Sequence, residues 1–227
     1  MVLPVPLTPI LVAGLAAVHL VADRFPIVGI VDRDRWLSAA VGVSLAYVFV
    51  YLLPKAVLAG HQIGFTLAFV GLAAFFAVER LAHVANRLET GPSLDRPVYY
   101  GHVGAFAAYN VVIGYALASG YVIDGRPSFA IAMAMHLFCI DEGLRRHHAE
   151  AYHRTGRWIL AGAIVIGAGT WLVLDVGEFF VAGSLAILAG GIMYNAIKEE
   201  LPEDAESSLI FFVAGATIFL AIMALVP

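Results

Sequence analysis

The residues with the most chemical potential in this chain are few. His136 sits in a long uncharged stretch and is followed by the adjacent acids Asp141 and Glu142, while Tyr109 and Asn110 occupy the middle of a second uncharged stretch. A neutral imidazole beside an amide or a carboxylate, with water completing the shell, holds a borderline divalent cation such as zinc. The same groups also make hydrogen-bonded contacts between helices. Both readings stay open for His136 and Asn110, and an ionisable residue far from water is by default a functional hypothesis. Adjacent helical residues diverge by about 100°, so Asp141 and Glu142 cannot both face one site, and of Tyr109 and Asn110 only one points squarely at His136. A helical spacing of three or four residues also allows Glu142 to pair with Arg145 or Arg146.

Other polar groups are weaker candidates. Glu79 and His83 stand four residues apart, suited to an internal contact at a helix end or to a cation. His102 is seven residues before Tyr109 and shares its face, where it could line a cavity, or lie among Tyr99 and Tyr100 at a membrane interface. The run from His147 to His153 reads as a solvated loop or a weak metal acceptor, because its imidazoles do not converge on one ion if the segment is helical. It does not match H-E-x-x-H, and no G-x-S-x-G, P-loop or dinucleotide fingerprint occurs, so no enzyme is expected. The single cysteine, Cys139, excludes an internal disulfide.

The elements that must position these residues follow from composition. Of 227 residues, 61% are hydrophobic and 13% charged, far from the balance of a soluble domain. Mean hydropathy is +0.88. The uncharged intervals give eight apolar segments, near 2–22, 36–54, 62–78, 97–123, 127–148, 158–174, 179–197 and 207–227, each read as a helix crossing a bilayer. The fifth reaches spanning length only by including Asp141 and Glu142, and is the weakest by hydropathy. The expectation is one all-α transmembrane domain over residues 1–227. The start of the chain lacks the positive charge of a signal peptide, so the first segment is expected to remain as a span.

Eleven of the thirteen Lys and Arg residues fall on one side of this topology, leaving only Lys55 and Arg126 on the other. By the positive-inside rule the chain is a multi-pass protein of the cell membrane with both termini on the extracytoplasmic side. Its partner is then membrane lipid. A net charge of −4 with no run of like charge argues against nucleic acid. Measured along a helix, His136 lies roughly 14 Å into a core of about 30 Å, with Tyr109 and Asn110 within one turn of the same level.

Two segments carry a family resemblance. Phe49-Val50-Tyr51-Leu52-Leu53-Pro54-Lys55-Ala56 resembles the span 2 ending F-L-H-L-L-P-E-A of the ZIP (Zrt/Irt-like) divalent-metal transporters. Gly190-Gly191-Ile192-Met193-Tyr194, closing on Leu201-Pro202-Glu203, is similar to that family's span 7, G-G-x-x-Y…L-P-E. The two Leu-Pro endings exit on opposite sides, as an inverted repeat requires. The resemblance implies a 3+2+3 arrangement of eight spans with inverted repeats, a homodimer, and transport or binding of a divalent cation at a midplane site. Span 4 of the family carries H-N-x-x-[DE]-G; here Tyr109, Asn110, Ile113 and Gly114 keep the Asn and Gly but not the other ligands. Span 5, H-E-x-P-H-E, aligns either through His136, which brings Asp141 to the last Glu, or through the acid before Gly143, which is Glu142. The implied metal residues are His136, Asn110, Asp141 and Glu142, with zinc or another divalent cation as the ion. The altered ligand positions leave a second expectation, a membrane scaffold or complex subunit of the same fold without a metal site.

Overall fold

A computed structural model describes residues 7–22, 32–60, 62–88, 95–122, 126–200 and 208–225 of this chain. Among the described residues there is no strand, and the chain forms eight helices whose positions match the eight apolar segments. They are α1 (Leu7–Val21), α2 (33–60), α3 (Ile63–Leu88), α4 (Asp95–Ser119), α5 (Arg126–Ala151), α6 (152–170), α7 (Gly177–Glu200) and α8 (Leu209–Leu225). Four contain a stretch long and apolar enough to cross a membrane: Arg33–Leu58, Ile63–Leu81, Val98–Ser119 and Gly177–Lys198. α1 and α8 are shorter apolar helices. Arg24 and the Leu201-Pro202-Glu203 motif lie outside the described residues.

Local chemistry explains where the helices bend and stop. Pro54 has no N–H to give Val50, and its ring crowds that carbonyl. The helix widens one turn earlier: Val48–Leu52 is a π turn in which the Leu53 N–H reaches back five residues to the Val48 carbonyl. Gly120, with φ +79°, closes α4 in a conformation that L side chains rarely adopt. α5 passes into α6 almost without a loop, bending at His148 (φ −143°, ψ 49°) and then running through a π turn at Tyr152–Gly156. The solvated loop expected for residues 147–153 is therefore corrected: apart from the bend at His148 the segment is helical, and Tyr152 near its end is buried.

The helices sort into two groups. α1, α4, α5 and α6 pack on one another, as do α2, α3, α7 and α8, and the seam between the groups is chiefly α2 against α5, with α4 approaching α3 and α7. Three helix pairs lie close enough for backbone to meet backbone, each with glycine on both sides. A Cβ on Gly42 would strike the Phe212 carbonyl, and one on Gly215 the Ala39 carbonyl, which locks α2 to α8. Gly71 and Gly190 face Ile187 and Ala68 in the same way between α3 and α7, and Gly114 and Gly167 face Ile164 and Val111 between α4 and α6. Small residues at these crossings supply the dispersion contact that associates helices where apolar burial gives little driving force. Outside these crossings large apolar side chains face outward, among them Phe65, Phe69, Ile166, Ile210 and Ile218, as a lipid-facing surface requires.

Gly190→Ala forces the α3–α7 pair apart. We expect a loss of about 1–3 kcal/mol, the usual cost of overpacking, read as a drop of several degrees in the unfolding midpoint of detergent-purified protein. Gly162 has open space where its Cβ would be, and Gly162→Ala should leave the midpoint unchanged or slightly raised. Equal behaviour of the two variants would refute the close-approach account.

Candidate functional site

At the centre of the first group, α1 supplies His19, α4 Asn110 and α5 Asp141, and all three are buried. His19 Nδ1 lies 2.7 and 2.9 Å from the two carboxylate oxygens of Asp141. On its other edge Nε2 is 2.8 Å from Asn110 Nδ2, and the same Nδ2 donates to the Leu160 carbonyl of α6 at 3.1 Å. The carbonyl fixes the chemistry. With the amide reversed, Asn110 would set oxygen against oxygen at Leu160, so its NH2 faces both acceptors and His19 Nε2 must accept. The ring proton then sits on Nδ1 and is donated to Asp141. Tyr152, where α5 turns into α6, donates to the His19 backbone carbonyl at 3.0 Å. The imidazole thus ties α1 to α4 and α5, and α6 joins through Asn110 and the His19 backbone carbonyl. The Asn110 Oδ1 atom is buried with no hydrogen-bond partner.

His136 forms a second pair, one helical turn deeper on α5. Its Nε2 is 2.7 Å from the Tyr109 hydroxyl, and the rings are 5.4 Å apart. Phe75 of α3 packs edge-on against Tyr109 across the seam. Of the two neighbours on α4, it is therefore Tyr109 that meets His136, while Asn110 turns to His19. The expected pairing of the His136 imidazole with the Asn110 amide is therefore corrected: rotation about the α4 axis turns Asn110 to His19 of α1 and brings Tyr109 to His136.

Asp141 and Glu142 diverge as adjacent helical residues must. Asp141 points into the first group; Glu142 points into the seam, where Arg33 of α2 donates through Nε at 2.6 Å and Arg145 closes on the other oxygen. Asp34 and Arg146 add a further pair across the same seam at 3.5 Å. Of the two partners that helical spacing allows Glu142, Arg145 and Arg146, it is Arg145 that pairs with it, while Arg146 turns to Asp34; Arg33 had no local signal. The side chains of His83 and His147 lie outside the described residues.

A cavity of about 330 Å³ opens between the two groups in the half of the molecule that holds the basic segments. His136 is at its inner end, with Ser44 and Cys139; His102, Glu79 and Lys198 are at its outer end. At the opposite end of the seam the walls touch. The Tyr121 hydroxyl donates to the Lys55 carbonyl at 3.5 Å, and the Lys55 ammonium lies 4.9 Å over the Tyr121 ring. Burial, with the Glu178 charge adding to it, pushes the Tyr121 phenol up to about 12, so it stays a neutral donor at any physiological pH. Among the described residues no three His, Cys, Asp or Glu side chains converge as a metal-holding group. Compared with family models, curated proteins and solved structures, the chain matches none.

His19 is the residue of this buried cluster that sequence reasoning passed over. A signal was present: it is the one ionisable residue in the first apolar helix, Leu7–Val21, where the rule for buried ionisable groups applies as it does to His136. Since His19 and Asp141 are in direct contact, a double-mutant cycle with His19→Leu and Asp141→Leu should give a coupling of about 1–3 kcal/mol. The measurement is unfolding of the purified protein in mixed micelles. Additive losses would show that the pair does not hold the group together.

Proposed function

We propose that this chain is a ZIP-like membrane protein that binds or transports a divalent cation, with His136 as the residue the ion reaches near the midplane. The observation that carries this reading is the cavity from the basic end to His136, since a vestibule ending on an imidazole gives a cation a route to a neutral nitrogen ligand. In this reading the basic end is cytoplasmic and the ion is zinc or a similar borderline metal. Transport follows from movement of one helical group against the other about the site. Asn110 and Asp141 act through His19 by holding α4 and α5 in register.

The 3+2+3 inverted repeat is part of the same proposal. Exchanging α1–α3 with α6–α8, and α4 with α5, turns the α2–α8 pair into α7–α3 and the α4–α6 pair into α5–α1. All four are packed pairs, and the first two share the glycine-on-both-sides crossing, which supports an internal symmetry. A homodimer is implied by the family resemblance alone.

One observation favours a second reading, a membrane scaffold or complex subunit without a metal site. Asp141 is taken by His19 and Glu142 by Arg33 and Arg145, so both carboxylates expected as ligands already have partners. The two readings separate on metal content. Detergent-purified protein is incubated with Zn²⁺, Co²⁺, Mn²⁺ and Ni²⁺, desalted and analysed by plasma mass spectrometry. In parallel it is reconstituted into vesicles for flux of the same ions. We expect flux by wild type that falls at least tenfold in His136→Ala. Wild type that neither retains nor passes any of these ions would establish the scaffold reading.

A further inference from the structure

The outer end of the vestibule carries three charged or titratable groups from three helices. Glu79 of α3 places Oε2 at 2.9 Å from the Lys198 ammonium of α7, and the same oxygen lies 3.5 Å from Nε2 of His102 on α4. The first distance is an ordinary charge-assisted hydrogen bond. The second is not: such bonds between charged nitrogen and oxygen run about 2.7–2.9 Å. It is the separation expected of two ligands on one ion, because bonds of ~2.1 Å at a tetrahedral angle put nitrogen and oxygen roughly 3.4 Å apart. Glu79 and His102 also belong to opposite groups, so the packing of the fold, and not a local helical spacing, sets their approach.

We propose that Glu79 and His102 form a second cation site at the mouth of the vestibule, taking a borderline divalent metal ion through one carboxylate oxygen and one imidazole nitrogen. Lys198 is its tethered competitor. The ammonium occupies the electrostatic position of the ion beside Oε2, so the ion binds only as Lys198 swings out, which its exposed position at the end of α7 permits: the side chains of Lys198 and Glu79 are 38% and 34% exposed. Asn195, one turn before Lys198, lines the same cavity with an Nδ2 atom that has no hydrogen-bond partner; rotation of that amide offers a third, oxygen donor, and water completes the shell. An imidazole–carboxylate pair suits zinc, cobalt or nickel better than calcium or magnesium, which favour all-oxygen shells. The site is separate from His136 and is tested without it.

The test uses the full chain in detergent, carrying His136→Ala so that the inner position is silent, with Zn²⁺ followed by titration calorimetry and Co²⁺ by its visible absorption. Adding Lys198→Met removes the competitor, and we expect Zn²⁺ to bind roughly tenfold more tightly, which corresponds to about 1.4 kcal/mol. Adding Glu79→Gln or His102→Ala to that variant should abolish the gain, and His102→Ala should also remove the imidazole contribution from the Co²⁺ spectrum. Unchanged affinity in Lys198→Met, or a gain that survives Glu79→Gln, overturns the proposal. Because every arm carries His136→Ala, loss of the inner site leaves this outcome unaffected.

Discussion

A carboxylate buried among helices has to be matched by a specific partner, and the structure is organised around how that is done for Asp141. An uncompensated charge in such surroundings costs several kcal/mol, more than a typical helix contact returns. His19 meets the requirement from a helix 122 positions away in sequence, and its second nitrogen is then obliged to find a donor of its own, which Asn110 supplies. Asn110 in turn is oriented by a backbone carbonyl of α6. Each link satisfies the one before it, so α1, α4, α5 and α6 are tied by hydrogen bonds whose geometry leaves little freedom. Among the described residues the other four helices share no such buried centre. Backbone approaches at glycines join α2 to α8 and α3 to α7, with polar contacts nearer the helix ends, Lys198 to Glu79 and the Ser208 N–H to Ser38.

One residue step on α5 separates two different uses of an acid. Asp141 faces inward and is consumed by a hydrogen-bond network that holds one group together. Glu142, turned by about 100°, faces the seam and joins that group to the other through Arg33. Arg33 is only partly buried, its side chain being 30% exposed, so this link is closer to a surface ion pair than to a core one and contributes correspondingly little.

Much of the fold could be read from the chain. Charges are so sparse that they mark the helix ends, and the eight apolar intervals became eight helices, including the fifth, whose length depended on accepting two acids within it. The site was read less well. Asn110, Asp141, Glu142 and His136 were each singled out, but their pairing depends on rotation about helix axes, which periodicity in a uniformly apolar helix does not report. That is why Asn110 was set beside His136 when Tyr109 takes that place. His19 stands alone in its helix, with no ionisable neighbour in Leu7–Val21 to suggest a partner, and that partner lies 122 positions away. The run from His147 to His153 reads as a loop by polarity, yet it bends only at His148, and the buried Tyr152 ties its end into the packing.

The seam between the two groups is held differently at its two ends, and this bears on where it can part. Toward the basic end the contacts are ionic and partly exposed: Arg33 with Glu142 and Asp34 with Arg146. Water replaces such pairs at small cost. Toward the other end Tyr47 of α2 packs against Phe129 of α5 with ring centres 5.9 Å apart, and both rings are fully buried. Separating them would expose aromatic surface with nothing to replace the lost packing. A seam that is ionic at one end and aromatic at the other yields first at the ionic end, and the cavity leading to His136 lies on that side. The distribution of contact types along one interface therefore accounts for a cavity at the ionic end and closed packing at the aromatic end.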